Sequence, residues 1–174
     1  MVWFTKGFSC PFCRQQMSQL ARLAPRYRPF GAEILVVSRT PAALARRYAE
    51  RFTLPFAYLS DETGAARRAW GLEVRRGSVG YYATKMLRRL LSSAPLPEDF
   101  GTHGRLGAPA GFRATPRDLE RVMADEDSGF FVVDRDGVVR FGESGGFRAD
   151  GGMGAIRPLP SSDVVLPILE RYAP

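Results

Sequence analysis

The order of segments predicts an α/β domain, built on a central sheet that is mixed but mostly parallel and is flanked by helices. Three observations carry this reading. Strand-like and helix-like stretches alternate three times over residues 1–70, and repeated strand–helix units imply parallel neighbours in a sheet. Near the other end, Asp134-Arg135-Asp136-Gly137 separates two short apolar runs, a strong turn signal that adds an antiparallel hairpin. The chain has 174 residues, 45% of them hydrophobic, enough for one domain with a core of its own.

Each element has its own justification. Residues 1–5 are apolar and strand-like. Residues 11–24 form the first helix, with Met17, Leu20, Leu23 and Ala24 on one face at helical spacing. Pro25 and Pro29 are expected to end it. Residues 32–38 form a continuous apolar run that suits a buried parallel strand. Thr40 then caps a helix with Pro41 in its first position, running to about Phe52. Residues 54–59 give the third strand. Ser60 or Asp61 caps a short helix through Trp70, stopped by Gly71.

From residue 73 to 114 Gly, Pro and Arg are frequent, and residues 81–91 are the one helix-like stretch. This reads as an insertion or lid inside a single domain spanning 1–174. Tyr82, Met86 and Leu90 share a face of that stretch, which is expected to pack over the site or in a homodimer interface. Thr115-Pro116 opens a helix to about Met123. The hairpin strands are 130–133 and 138–141, residues 142–160 are Gly-rich and read as loop, and Ser162 or Asp163 caps a last helix to Tyr172.

Bulk charge excludes some classes. The net charge of +7 is nearly all arginine, with Lys6 and Lys85 the only lysines. The basic residues fall in scattered pairs such as Arg46-Arg47 and Arg67-Arg68, which read as solvated faces. Nucleic-acid binding needs a concentrated stripe with aromatic interleaving, so no nucleic-acid partner is expected. No apolar run approaches the ~20 residues of a membrane span, and residues 1–6 do not read as a signal peptide. The expectation is a cytoplasmic protein, where a cysteine pair is more often catalytic than structural.

The chemistry concentrates at Cys10-Pro11-Phe12-Cys13, which holds both cysteines of the chain at a strand-to-helix junction. That is the layout of a dithiol/disulfide redox site. The first helical turn offers unsatisfied N–H groups and the positive end of the dipole, so Cys10 is expected to ionise below the ordinary thiol value. Pro11 suits the first helical position. Cys13, one turn on, can attack a mixed disulfide or sulfenic acid on Cys10. Lys6 and Arg14 can add positive charge, though Arg14 can equally face solvent. The alternatives are a structural disulfide and a pair of inert buried thiols. A zinc site needs more ligands than two Cys and one His supply, so neither metal nor cofactor is expected.

Three segments, in order, resemble the thioredoxin fold and, within it, the peroxiredoxin-like family of alkyl hydroperoxide reductases and thiol-specific antioxidants. They are residues 3–13 with the cysteine pair, residues 54–61 leading to Ala69-Trp70-Gly71-Leu72, and residues 130–141 with the hairpin. The resemblance covers about residues 1–72 and 128–142. It implies a peroxide or disulfide substrate, Cys10 as nucleophile, Cys13 as resolving thiol, and a thioredoxin- or glutathione-type electron donor.

Departures from the family pattern open alternatives. In the family's Pro-x-x-x-Thr-x-x-Cys pattern, read with Cys10 as its cysteine, Gly7 stands in the Thr position and Trp3 in the Pro position. Phe4 occupies the place of the buried acid of thioredoxins, and no proline precedes Phe130. These leave open a disulfide oxidoreductase without peroxidase activity, and a non-catalytic module that senses redox state or binds metal. His103, the single histidine, reads as an exposed loop residue and Asp134 and Asp136 as turn chemistry.

Overall fold

The computed structural model describes residues 1–8, 10–52, 54–72, 74–76, 124–145 and 159–173. The expected helices at 81–91 and 115–123, His103 and nearly all of the insertion lie outside the described residues.

Strand β1 (Val2–Thr5) is central. Helix α1 (Pro11–Tyr27) follows, then one 3-10 turn (Arg28–Phe30). Strand β2 (Leu35–Ser38), helix α2 (Ala42–Phe52), strand β3 (Ala57–Ser60) and helix α3 (Ala65–Ala69) complete the repeat. Beyond it come β4 (Val74–Arg76), β5 (Ala124–Glu126), β6 (Ser128–Val133), β7 (Val139–Gly145) and helix α4 (Ser162–Tyr172).

The main sheet has the order β3-β2-β1-β6-β7. Strands β1, β2 and β3 are parallel, with Trp3 beside Val36 and Val36 beside Tyr58. Strand β6 runs antiparallel to β1 and to β7. This is the expected mixed sheet with its closing hairpin. The pair β4–β5, which the sequence reading did not anticipate, forms a separate two-stranded ribbon.

Alternation along the strands splits the core in two, because successive side chains leave a strand on opposite faces. On one face Trp3, Val36, Phe130 and Val132 pack with Met17, Leu20, Ala24 and Tyr27 of α1 and Val165 and Leu169 of α4. On the other, Phe4, Val37 and Leu72 pack with Trp70 and Phe131. The Phe4, Trp70 and Phe131 rings meet at centroid distances of 4.8–6.1 Å.

Four local expectations are corrected. Helix α1 does not stop at Pro25 but passes through it to Tyr27. Pro25 is exposed, so the carbonyl that loses its amide partner can face water, while Tyr27 is 1% exposed and holds the extra turn against the core. Thr40 does not cap α2: the Glu62 carboxylate accepts the Ala42 N–H at 2.9 Å, and the Thr40 hydroxyl is used elsewhere. Arg67 is not on a solvated face but is 1% exposed. Strand β7 continues through the Gly-rich sequence to Gly145, held by its ladder with β6.

Candidate active site

The site forms where β1 hands over to α1, at the carboxyl end of the central parallel strand, where ligands of open α/β sheets gather. Gly7 turns the chain with φ 92°, and its carbonyl accepts the Cys10 N–H at 3.2 Å. Cys10 is the N-cap residue of α1, in extended conformation, and Pro11 takes the first helical position. The Cys10 carbonyl accepts the Arg14 N–H at 3.1 Å, the first bond of the helix.

The two cysteines are brought together as free thiols. Cys10 Sγ accepts the Cys13 N–H at 3.4 Å, the place that a Ser or Asp oxygen takes in an ordinary N-cap. Cys10 is 4% exposed and Cys13 0%, so both are shielded and Cys10 is the outer one.

Electrostatics reverse the expected order of ionisation. Burial pushes the Cys10 thiol well above its ordinary value, and donating to Cys13 adds to this; the Cys13 N–H and the Lys6 charge oppose it. Burial alone would raise Cys13 as well. The Cys10 thiol, the Thr5 hydroxyl, the Lys6 charge and the Lys6 backbone more than offset it, and Cys13 falls to about 7. Thr5 Oγ1 is itself buried, with no hydrogen-bond partner among the described residues. The lowering expected at Cys10 is outweighed there by burial, and Cys10, Thr5 and Lys6 act instead to lower Cys13.

Lys6 is half-buried and acts on both sulfurs. Arg14 points neither at the thiols nor simply to solvent: its guanidinium donates to the Phe8 carbonyl at 2.6 Å and ties down the turn. The same turn is held from β2 and β3. The Phe8 N–H donates to Thr40 Oγ1 at 3.4 Å, and the Phe8 ring stacks on Tyr58 at 4.6 Å between centroids.

Sequence reasoning missed Thr5, Ser38, Thr40, Tyr58 and Arg67. Arg67 donates to the Thr5 carbonyl at 2.8 Å and to the Asp127 carbonyl, joining the ends of β1 and β6 beside the site. A Thr closing the strand one residue before Lys6 was the available signal for Thr5. The other four act across the fold and leave no local pattern.

Comparison with known proteins gives a consistent picture. The model of the AhpC/TSA family matches residues 1–100. A chloroplastic peroxiredoxin Q of Triticum aestivum is 31% identical over 72 residues, 41% of this chain and 33% of that protein. A chloroplastic peroxiredoxin Q of Sedum lineare is 28% identical over 72 residues, covering 41% and 39%. The matched segment thus spans between a third and two fifths of these curated relatives. Among solved structures, the bacterioferritin comigratory protein of Xanthomonas campestris, studied for its alkyl peroxide reduction activity, superposes with a TM-score of 0.56 at 15% identity. That match covers 99% of this chain and 77% of the other. The likeness is one of fold: the thioredoxin-like peroxiredoxin architecture.

Proposed function

Because the chain belongs to the AhpC/TSA family, we propose that it is a thiol-dependent oxidoreductase that reduces peroxides through the Cys10–Cys13 dithiol. The observation that carries this reading is the contact itself: two free thiols at a helix start, with the Cys13 N–H donating to Cys10 Sγ. Cys13, at about 7, is about half ionised at neutral pH, and the thiolate is the nucleophile.

The Cys13 sulfur attacks one peroxide oxygen; an S–O bond forms and the O–O bond breaks. The departing oxygen leaves as alcohol or water after taking a proton. The Cys10 sulfur then attacks the Cys13 sulfenic acid, the S–O bond breaks, water leaves and a Cys10–Cys13 disulfide remains. Together the sulfurs have lost two electrons and the peroxide has gained two. A thioredoxin- or glutathione-type dithiol or thiol returns them by exchange, entering at Cys10, the outer sulfur. A reducing compartment such as the cytoplasm keeps the resting pair as thiols.

A second reading, a disulfide reductase without useful peroxidase activity, is favoured by Gly7 where the family pattern carries Thr. Turnover of hydrogen peroxide and of a model disulfide, measured with one thioredoxin-based donor system, separates the two. Peroxide turnover orders of magnitude above a free thiol supports the first. Turnover of the disulfide alone supports the second. Reversible oxidation without turnover of either would leave a redox sensor and defeat both.

A further inference from the structure

Three hydroxyls converge on Gly7, and none belongs to the dithiol segment. Ser38 ends β2, Thr40 follows it, and Tyr58 lies on β3. Ser38 and Thr40 are 1% and 2% exposed. A Cβ at residue 7 would lie 2.1 Å from Thr40 Oγ1, 2.9 Å from Ser38 Oγ and 3.0 Å from Tyr58 Oη. The Thr40 hydroxyl thus fills the place where a side chain at residue 7 would begin. The turn that leads to Cys10 closes directly on it, through the Cys10 N–H bond to the Gly7 carbonyl.

Counting protons shows how the cluster is ordered. Tyr58 has one hydroxyl proton and donates it to Thr40 Oγ1 at 3.0 Å. In the close contact between Ser38 and Tyr58 the donor is therefore Ser38. Ser38 Oγ accepts the Thr40 N–H at 3.1 Å, and Ser60 pins the Thr40 carbonyl at 2.7 Å. Thr40 Oγ1 is the common acceptor for the Tyr58 hydroxyl and for the Phe8 N–H of the cysteine turn. Chains of this kind polarise one another, and a buried donor left without its acceptor is destabilising.

We propose that Thr40, backed by Ser38 and Tyr58, is a positioning residue of the dithiol, which fixes the turn over residues 7–10 and so holds Cys10 in contact with Cys13. The proposal rests on the dithiol reading above. Replacing the hydroxyl by a methyl removes the acceptor that the buried Phe8 N–H and the half-buried Tyr58 O–H share. The turn must shift to satisfy them, and Lys6 and Cys10, on either side of it, shift with it.

The test compares Thr40→Val, Thr40→Ser and Tyr58→Phe with the parent chain, following iodoacetamide alkylation of the reduced protein against pH, with urea unfolding alongside. Thr40→Val should lower the alkylation rate at pH 7 by about fivefold, the effect there of one pKa unit from about 7, and move the midpoint upward. Thr40→Ser should stay within about twofold. Tyr58→Phe, which leaves the Phe8 N–H its acceptor, should fall between. A wild-type pH profile in Thr40→Val, with stability alone reduced, overturns the proposal. So do equal shifts in Thr40→Val and Thr40→Ser, since packing and not the hydroxyl would then be responsible. Failure of the dithiol reading shows separately, in the parent chain: diamide would then yield no Cys10–Cys13 disulfide.

Discussion

At the residue scale, Cys10 and Cys13 are chemically alike and differ only in surroundings. Cys10, Thr5 and Lys6 lower Cys13; Cys10 has burial against it and little to offset it. Removing the Cys10 thiol by Cys10→Ala should raise the pH midpoint of Cys13 alkylation above about 7. A midpoint that stays in place would mean that Thr5 and Lys6 suffice. The sign for stability follows from linkage. Cys13 has a folded value below its ordinary value of 9.0, so its contribution is fully present above 9 and is lost as pH falls through about 7. Cys10, raised, works the other way and costs stability as pH rises past its ordinary value. Reduced protein should therefore gain stability from pH 7 towards 9 relative to Cys13→Ala, read from urea midpoints.

Gly7 gives a second test at this scale. Its φ of 92° and the 2.1 Å approach of Thr40 Oγ1 leave no room for a Cβ. Gly7→Ala should cost roughly 1–3 kcal/mol in urea unfolding from backbone strain, and it should displace the Thr40 hydroxyl as well. A loss under about 0.5 kcal/mol, the usual range of a surface substitution, would show that the turn is softer than described here.

At the element scale, the regular pieces were legible because each carries a local signal. The stripe of Met17, Leu20 and Ala24 marked α1, the apolar run marked β2, and Asp134 and Gly137 marked the hairpin. In that turn Asp134 Oδ1 accepts the Asp136 and Val138 N–H groups, both at 2.9 Å. What failed locally was overridden by packing across the fold. Tyr27 drew α1 past Pro25, and Thr40 left its cap to bind the cysteine turn. Arg67 is the clearest case: an Arg-Arg pair on a short helix reads as solvent-facing, yet its guanidinium donates to two backbone carbonyls and lies 5.9 Å from the Phe4 ring centre. Hydrogen bonds to charged groups contribute about 1.5–3 kcal/mol each, so Arg67→Met should destabilise by about 3 kcal/mol or more. Arg67→Lys should recover only part of this, because a single ammonium cannot reproduce the fork. Unfolding in urea measures both, and a neutral Arg67→Met would remove Arg67 as the tie between β1 and β6.

At the scale of the whole molecule, the sheet order places β1 at the centre, with β2 and β6 on its two sides. That arrangement delivers Thr5 at the end of β1 with Lys6 after it, Ser38 at the end of β2 with Thr40 beyond it, and Tyr58 from β3 to one end of the sheet, around the start of α1. The cysteine pair and its position could be read from the sequence. Lys6, four residues from Cys10, could be read as well; Ser38, Thr40 and Tyr58 could not, because they are up to 48 positions away in the chain (Tyr58 from Cys10) and meet the turn only through strand pairing. The central claim is that Cys10 and Cys13 act as one redox unit. Intact-mass and peptide mass spectrometry of the reduced protein, after stoichiometric hydrogen peroxide, tests it most directly. The account predicts loss of the two thiol hydrogens and a peptide bridged between Cys10 and Cys13, reversed by a dithiol reductant. An unchanged mass, or oxygen added to one sulfur with the other left as a thiol, would contradict it.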